Sequence, residues 1–84
     1  MAKITIFSDS RCSGCQELKK AIQELKIKGI SILNINKHLG DARKLKIYSV
    51  PTAVINGEKY IISRNDDCLV FKSKTNKIKL CKQV

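Results

Sequence analysis

Apolar positions fall along this chain in two rhythms. "KITIFS", residues 3–8, is a short run of β-branched and aromatic residues without Gly or Pro, the composition of a buried strand. The rhythm then changes: Leu18, Ala21, Ile22 and Leu25 recur at i, i+3, i+4 and i+7 with Lys and Glu between them. That spacing predicts an amphipathic helix from Cys15, stopped by Gly29. "ISILNIN", residues 30–36, predicts a second strand. "KHLG" reads as a break, and Asp41 as the cap of a short helix to about Tyr48. Residues 52–55 predict a third strand and 59–63 a returning one. Between them, Asn56-Gly57 predicts a two-residue hairpin turn, because both positions favour positive φ.

Residues 3–63 therefore read β-α-β-α-β-β, an α/β arrangement. The alternation predicts parallel pairing through right-handed crossovers, with an antiparallel edge from the closing hairpin. Residues 64–84 admit two readings. A helix capped at Asn65 or Asp66 would put Cys68, Phe71, Thr75 and Ile78 on one face. A hairpin of "CLVFKS" and "KIKLCKQ" around Thr75-Asn76 would bring Cys68 and Cys81 near each other. Ser, Thr and Asn in mid-run weaken the helix, which is still the narrowly preferred reading. With no repeat, low-complexity segment or linker, the 84 residues read as one domain, core 3–63 and tail 64–84.

Composition adds bounds. An apolar fraction of 43% supports a folded core, modest at this length. Seventeen Lys and Arg against seven Asp and Glu leave a net charge of +10. That balance suits an anionic partner. The lysines are spread along the chain, which favours the plainer reading of a solvated surface. No RNP-like aromatic pattern, helix-turn-helix cue or Cys/His finger supports nucleic-acid binding. "MAKITIF" is too short an apolar run for a signal peptide, and no stretch approaches the roughly 18 apolar residues of a membrane span. The expectation is a soluble, cytoplasmic monomer without a membrane partner. In a reducing cytosol, paired cysteines are expected to be redox-active or metal-binding.

"SDSRCSGCQEL", residues 8–18, holds such a pair, Cys12 and Cys15. If the helix starts at or just after Cys12, its unpaired N–H groups and positive dipole end stabilise a thiolate there, and Arg11 adds positive charge. Cys15, one turn further in, is close enough to form a disulfide with Cys12 and less exposed. Cys12 would attack a substrate disulfide and Cys15 would resolve the mixed disulfide. The second constellation is "SVPT", residues 49–52, with the chain's only proline at the start of a strand. Pro51 reads as a cis-proline facing the cysteines. The Val50 backbone would offer strand-like hydrogen bonds to a substrate peptide and keep metal ions off the dithiol.

"ITIFSDSRCSGC" and "ARKLKIYSVPTAVING", in this order and with these spacings, resemble small proteins of the thioredoxin fold, of the short glutaredoxin-like or archaeal thioredoxin type. The resemblance covers residues 3–62. It implies a thioredoxin-like fold and a thiol–disulfide oxidoreductase with Cys12 as nucleophile, Cys15 as resolving thiol and Pro51 as cis-proline. Val50, Pro51, Thr52 and Arg11 would meet the substrate. It implies no bound cofactor, a disulfide-containing client protein, and a separate reductase or small thiol as electron donor. The chain departs from that pattern in four places. Arg11 stands where thioredoxins carry Trp. Ser13-Gly14 stands where a proline is common. "SRNDD" replaces the glutathione-holding Gly-Gly, with Asp66 or Asp67 left to imitate its acid. The tail matches the usual C-terminal helix poorly.

A rival reading is a soft-metal carrier. "CSGCQELKKAIQELKIKGISILNIN" also resembles the heavy-metal-associated domain, whose CxxC clip suits Cu(I). Ser10 stands where that family has Met, and Val50-Pro51-Thr52 and Asn56-Gly57 have no place in it. Zinc held by all four cysteines lacks the usual knuckle spacing. Cys68 and Cys81 read first as buried thiols; a second disulfide between them would point to a thermophilic or oxidising setting. His38 reads as an exposed loop residue and not a catalytic base. Tyr48 and Phe7 read as core, and Lys3 as a surface charge that with Arg11 could help hold an acidic partner.

Overall fold

Strand pairing places each face of this chain against a different helix. The computed structural model describes residues 3–82, so the "MA" of the N-terminal reading and the "QV" of the tail lie outside it. The described residues form β1 (Ile4–Ser8), α1 (Ser13–Glu24), β2 (Ile30–Asn34), a 3-10 turn (Ile35–Lys37), α2 (Leu39–Lys44), β3 (Thr52–Ile55), β4 (Glu58–Asn65), β5 (Cys68–Lys72) and β6 (Lys77–Cys81). The six strands make one mixed sheet, ordered β2-β1-β3-β4-β5-β6. Ile4, Ile6, Ala53, Ile55, Tyr60, Leu69 and Phe71 turn to one side and bury Ala21 of α1 and Leu25 at its C-cap. Phe7 and Val54, one position out of phase, turn to the other and bury Ala42 of α2 and Ile47. This is the period-two alternation of strands covered on both faces. None of the described helices is long and apolar enough to cross a membrane.

The parallel expectation holds for one crossover only. β1 and β2 run parallel, whereas β3 runs antiparallel to β1. Helix length explains the difference. Twelve residues give α1 about 18 Å, enough to return the chain along a strand of about 16 Å. Six residues give α2 about 9 Å, so the chain enters β3 from the end where β2 left off.

Several boundaries also shift. α1 stops at Glu24, before the expected Gly29, because Lys26 adopts the left-handed conformation at φ 54°. Its N–H donates to Gln23 O at 3.3 Å, and the Ile27 N–H donates to Ile22 O at 3.2 Å. This double bond pattern is a Schellman stop, with Ile27 and Ile22 both packed into the α1 core. α2 ends the same way: Lys46 has φ 57°, and Ile47 N–H donates to Ala42 O at 2.9 Å. Both stops carry the same Leu-Lys-Ile sequence, at 25–27 and 45–47. α2 begins earlier than expected, so Asp41 lies in its first turn and not at its cap, 3.8 Å from His38 Nδ1. The "KHLG" break is thus partly helical, and Asn34 caps the 3-10 turn in place of a longer β2.

The tail is the hairpin, not the preferred helix. Leu69 and Phe71 of β5 are fully buried, with Ile78 and Leu80 of β6 beside them, so all four point inward at spacing two. On a helix Leu69 and Phe71 would diverge. The residues that weaken a helix here build the turn. Asn76 N–H donates to Ser73 Oγ at 3.0 Å, and Thr75 Oγ1 and Asn76 Nδ2 donate to the Glu58 carboxylate at 3.1 and 3.3 Å. Hydrogen bonds from Ser73, Thr75, Asn76 and Tyr60 hold the Glu58 carboxyl below its usual range. At the other end Cys68 lies opposite Cys81, and the two form a disulfide across the pair. They are therefore not buried thiols.

Two stability predictions follow from this architecture. The Cys68–Cys81 bridge spans a sequence separation of 13, and replacing both cysteines with serine should cost about 3 kcal/mol through the entropy of the opened loop. Urea unfolding of the oxidised protein and the double variant measures it. Lys26→Gly removes a side chain from a left-handed position and should stabilise the fold by about 1 kcal/mol, read as a raised urea midpoint.

Candidate functional site

The site forms where β1 ends and α1 begins. Asp9 makes the bend. Its carboxylate accepts the Arg11 N–H at 3.0 Å and its carbonyl accepts the Cys12 N–H at 3.0 Å, an Asx-type turn that delivers Cys12 to the first position outside the helix. Cys12 is the N-cap of α1, with φ −91° and ψ 114°. Its sulfur takes the role a Ser or Asp oxygen usually plays, accepting the Cys15 N–H at 3.1 Å. Gln16 Nε2 donates to Ser10 O at 2.8 Å and ties the loop to the first helical turn. The resulting sulfur is half-buried and engages a backbone N–H of the first helical turn that has no partner within the helix.

Cys15 differs. It is buried, at 6% exposure, and burial together with the hydrogen bond to Cys12 pushes its thiol up to about 11. The two sulfurs thus hold unequal positions on one helical turn: one open and capped by a donor, the other enclosed and kept protonated.

The second constellation arrives from β3. Phe7 pairs with Thr52, so the residues just before β3 lie beside the end of β1. The Val50–Pro51 bond is cis. The Cys12 thiol lies 3.8 Å from Val50 O, and a Cβ on Gly14 would meet both Cys12 Sγ and Pro51 Cδ at 3.9 Å. Cys12, Cys15, Val50 and Pro51 therefore come together across 38 residues of chain. Thr52 comes to the edge of this group, but its hydroxyl donates to Ser49 O at 2.7 Å and stabilises the loop.

Arg11 lies at the rim of this group. Its side chain is 85% exposed and lies 3.7 Å from Asp9, which partly neutralises its charge beside Cys12. The Arg11 N–H and its guanidinium hold the Asp9 carboxyl below the usual carboxylate range. Asp66 and Asp67 form the β4–β5 turn, Asp66 at φ 54° with its carbonyl accepting from Arg64. Asp9 and Gln16 are the site residues that motif reasoning passed over. The "DSR" sequence did carry an Asx-turn signal before the helix.

Two hollows border the site. One, of about 380 Å³, runs between α1 and β4 past Gly14, floored by Leu18, Ala21 and Ile62. The other, of about 370 Å³, is polar and opens beside Asp9, Cys15 and Asn34. Among the described residues no group of three or more His, Cys, Asp or Glu side chains is arranged to hold a metal ion. The Cys68–Cys81 bond also removes two of the four ligands a four-cysteine zinc site would use. Comparison with protein-family models, curated proteins and solved structures returns no match for this chain.

The inequality of the two sulfurs is testable by alkylation. In reduced protein at pH 8, iodoacetamide should modify Cys12 well before Cys15. A thiol whose pKa is about 11 is ionised in only about one molecule in a thousand at that pH. Labelling of Cys15 should climb as pH approaches 11. Peptide mapping by mass spectrometry separates the sites, and equal modification at pH 8 would contradict the assignment.

Proposed function

We propose that this chain is a thiol–disulfide oxidoreductase of the thioredoxin-like kind, reducing disulfides of client proteins. The observation that carries the reading is the placement of Cys12 Sγ. It caps a helix, accepts the Cys15 N–H at 3.1 Å, and sits 3.8 Å from the Val50 carbonyl beside Pro51. A metal clip needs two accessible thiolates. Here one thiol is buried and the other faces a backbone platform suited to an extended peptide.

The reaction divides between the sulfurs. The Cys12 thiolate attacks one sulfur of the client disulfide, forming a mixed disulfide and releasing the other client sulfur as a thiolate that takes a proton from water. Cys15 then gives up its proton and attacks Cys12 Sγ. The second client sulfur leaves and is protonated, and the Cys12–Cys15 disulfide remains. Two electrons have passed to the client. A separate reductase or small thiol restores the dithiol, and no bound cofactor takes part. Cys12 Sγ already lies on the same helical turn as Cys15, and forming the mixed disulfide is what makes it a sulfur that Cys15 can attack. The setting is one in which Cys68–Cys81 stays oxidised while Cys12 and Cys15 cycle, an oxidising compartment or the cytosol of a thermophile.

A redox titration against dithiothreitol or glutathione buffers, with free thiols trapped and weighed by mass spectrometry, tests this. A reversible two-electron step should vanish in Cys12→Ser and Cys15→Ser and survive in the Cys68→Ser/Cys81→Ser variant. If Cys12 and Cys15 never pair, and the native mass carries copper or zinc, the soft-metal carrier replaces the oxidoreductase.

A further inference from the structure

The lysines that are scattered in sequence converge in space. Strand alternation puts Lys59 and Ile61 of β4, Val70 and Lys72 of β5, and Lys77 and Lys79 of β6 on the face away from α1. α2 covers that face only over the β1–β3 side, where Phe7 and Val54 are buried. Beyond it the sheet is open. The one acidic residue of β4, β5 and β6 is Glu58, which alternates to the opposite face with Tyr60. The open face is therefore of a single sign.

Its arrangement is costly for so small a domain. Lys72 lies directly opposite Lys77, and like charges at facing positions destabilise a strand pair. The face also carries an apolar element. Tyr48 is 85% exposed and Ile61 77% exposed, and both border one hollow of about 230 Å³. Ser49 and Thr52, the residues either side of Val50-Pro51, line the same hollow, so along the chain it borders the segment that reaches Cys12. Lys46 and Lys59 stand at its rim, where Lys59 Nζ donates to Lys46 O at 2.8 Å.

We propose that this hollow and the lysine face beyond it form one docking surface for an acidic protein segment, with an apolar side chain seated between Tyr48 and Ile61 and carboxylates meeting Lys72, Lys77 and Lys79. The proposal rests on the oxidoreductase reading and supplies its substrate class: clients whose disulfide lies near an acidic, apolar-anchored stretch. A protein fits the surface better than the other polyanions. Single-stranded nucleic acid is held by several stacking aromatics, and Tyr48 is the only exposed aromatic among the described residues. Neither nucleic acid nor lipid offers a disulfide to the adjoining sulfur.

The test separates docking from chemistry. A fluorescent, cysteine-free peptide with a Phe flanked by Asp and Glu is titrated by anisotropy into the Cys12→Ser protein, so that binding is read without any redox step. A Gln-substituted peptide, a single-stranded oligonucleotide of equal charge and vesicles containing anionic lipid are run at the same salt. The acidic peptide should bind best, more weakly as salt rises. Lys72→Glu should weaken it about tenfold. The same substitution should raise the thermal midpoint, because it replaces a facing like pair with an opposite one. Ile61→Asp should also weaken binding, and its folding is checked by the same melt. In otherwise wild-type protein, Lys72→Glu should raise KM for an acidic disulfide-looped peptide with kcat unchanged, and leave reduction of a small aromatic disulfide unaltered. The surface assignment falls if the acidic peptide does not bind, if Lys72→Glu leaves its affinity unchanged, or if the oligonucleotide or vesicles bind more tightly. Failure of the redox titration alone would remove the oxidoreductase and leave the binding result standing.

Discussion

The antiparallel pairing of Phe7 with Thr52 is the constraint on which the upper end of the molecule depends. β1 can run only to Ser8 before the Asp9 turn lifts the chain into α1. Because Thr52 sits opposite Phe7, the two residues before it must lie against the first helical turn. Val50 and Pro51 reach Cys12 for that reason, and the 3.8 Å contact of Cys12 Sγ with Val50 O completes the placement. The register has little freedom. A slip of one residue would send Val54 to the α1 side and Ala53 to the α2 side, breaking both cores at once.

From that register the difference between the sulfurs follows by helix geometry. Cys12 is the last residue outside α1 and Cys15 the third within it. One is placed where backbone donors are unspent, the other where the sheet and helix have closed around it. Small domains have few ways to make two chemically identical side chains behave differently. Here a single turn of helix, with one cysteine at its rim and one on its buried side, sets them apart.

Local signals and tertiary context divided the work of folding, and only the first can be read along the chain. β1, β3 and the Asn56-Gly57 turn were legible because strand composition and positive-φ preference are properties of a few adjacent residues. The start of α1 was legible to within a turn: the apolar period predicted a helix from Cys15, and the helix begins at Ser13. The helix ends were not. Lysine is no signal for a left-handed residue, and Lys26 and Lys46 take that conformation because Ile27 and Ile47 gain burial in the cores beyond them. The direction of β3 depended on the length of α2, which boundary errors obscured. Residues 68–81 carried both a weak helical period and a two-residue one, and the choice between them lay with distant partners, Glu58 at one end and the core under α1 at the other. For the site, the cysteines and Val50-Pro51 were legible, whereas the diversion of Arg11 to Asp9 depends on side-chain geometry that spacing does not encode.

Adding a hairpin to the sheet has one more consequence. Among the described residues β6 is the outermost strand on its side of the sheet, with β5 beside it. Edge strands can seed self-association and fibre growth. Along β6 the side chains alternate Lys77, Ile78, Lys79, Leu80, and Lys82 follows the strand. A second copy laying its own β6 alongside in parallel would bring Lys77 against Lys77 and Lys79 against Lys79. The charge on this rim sets the β6 of one copy against the β6 of another.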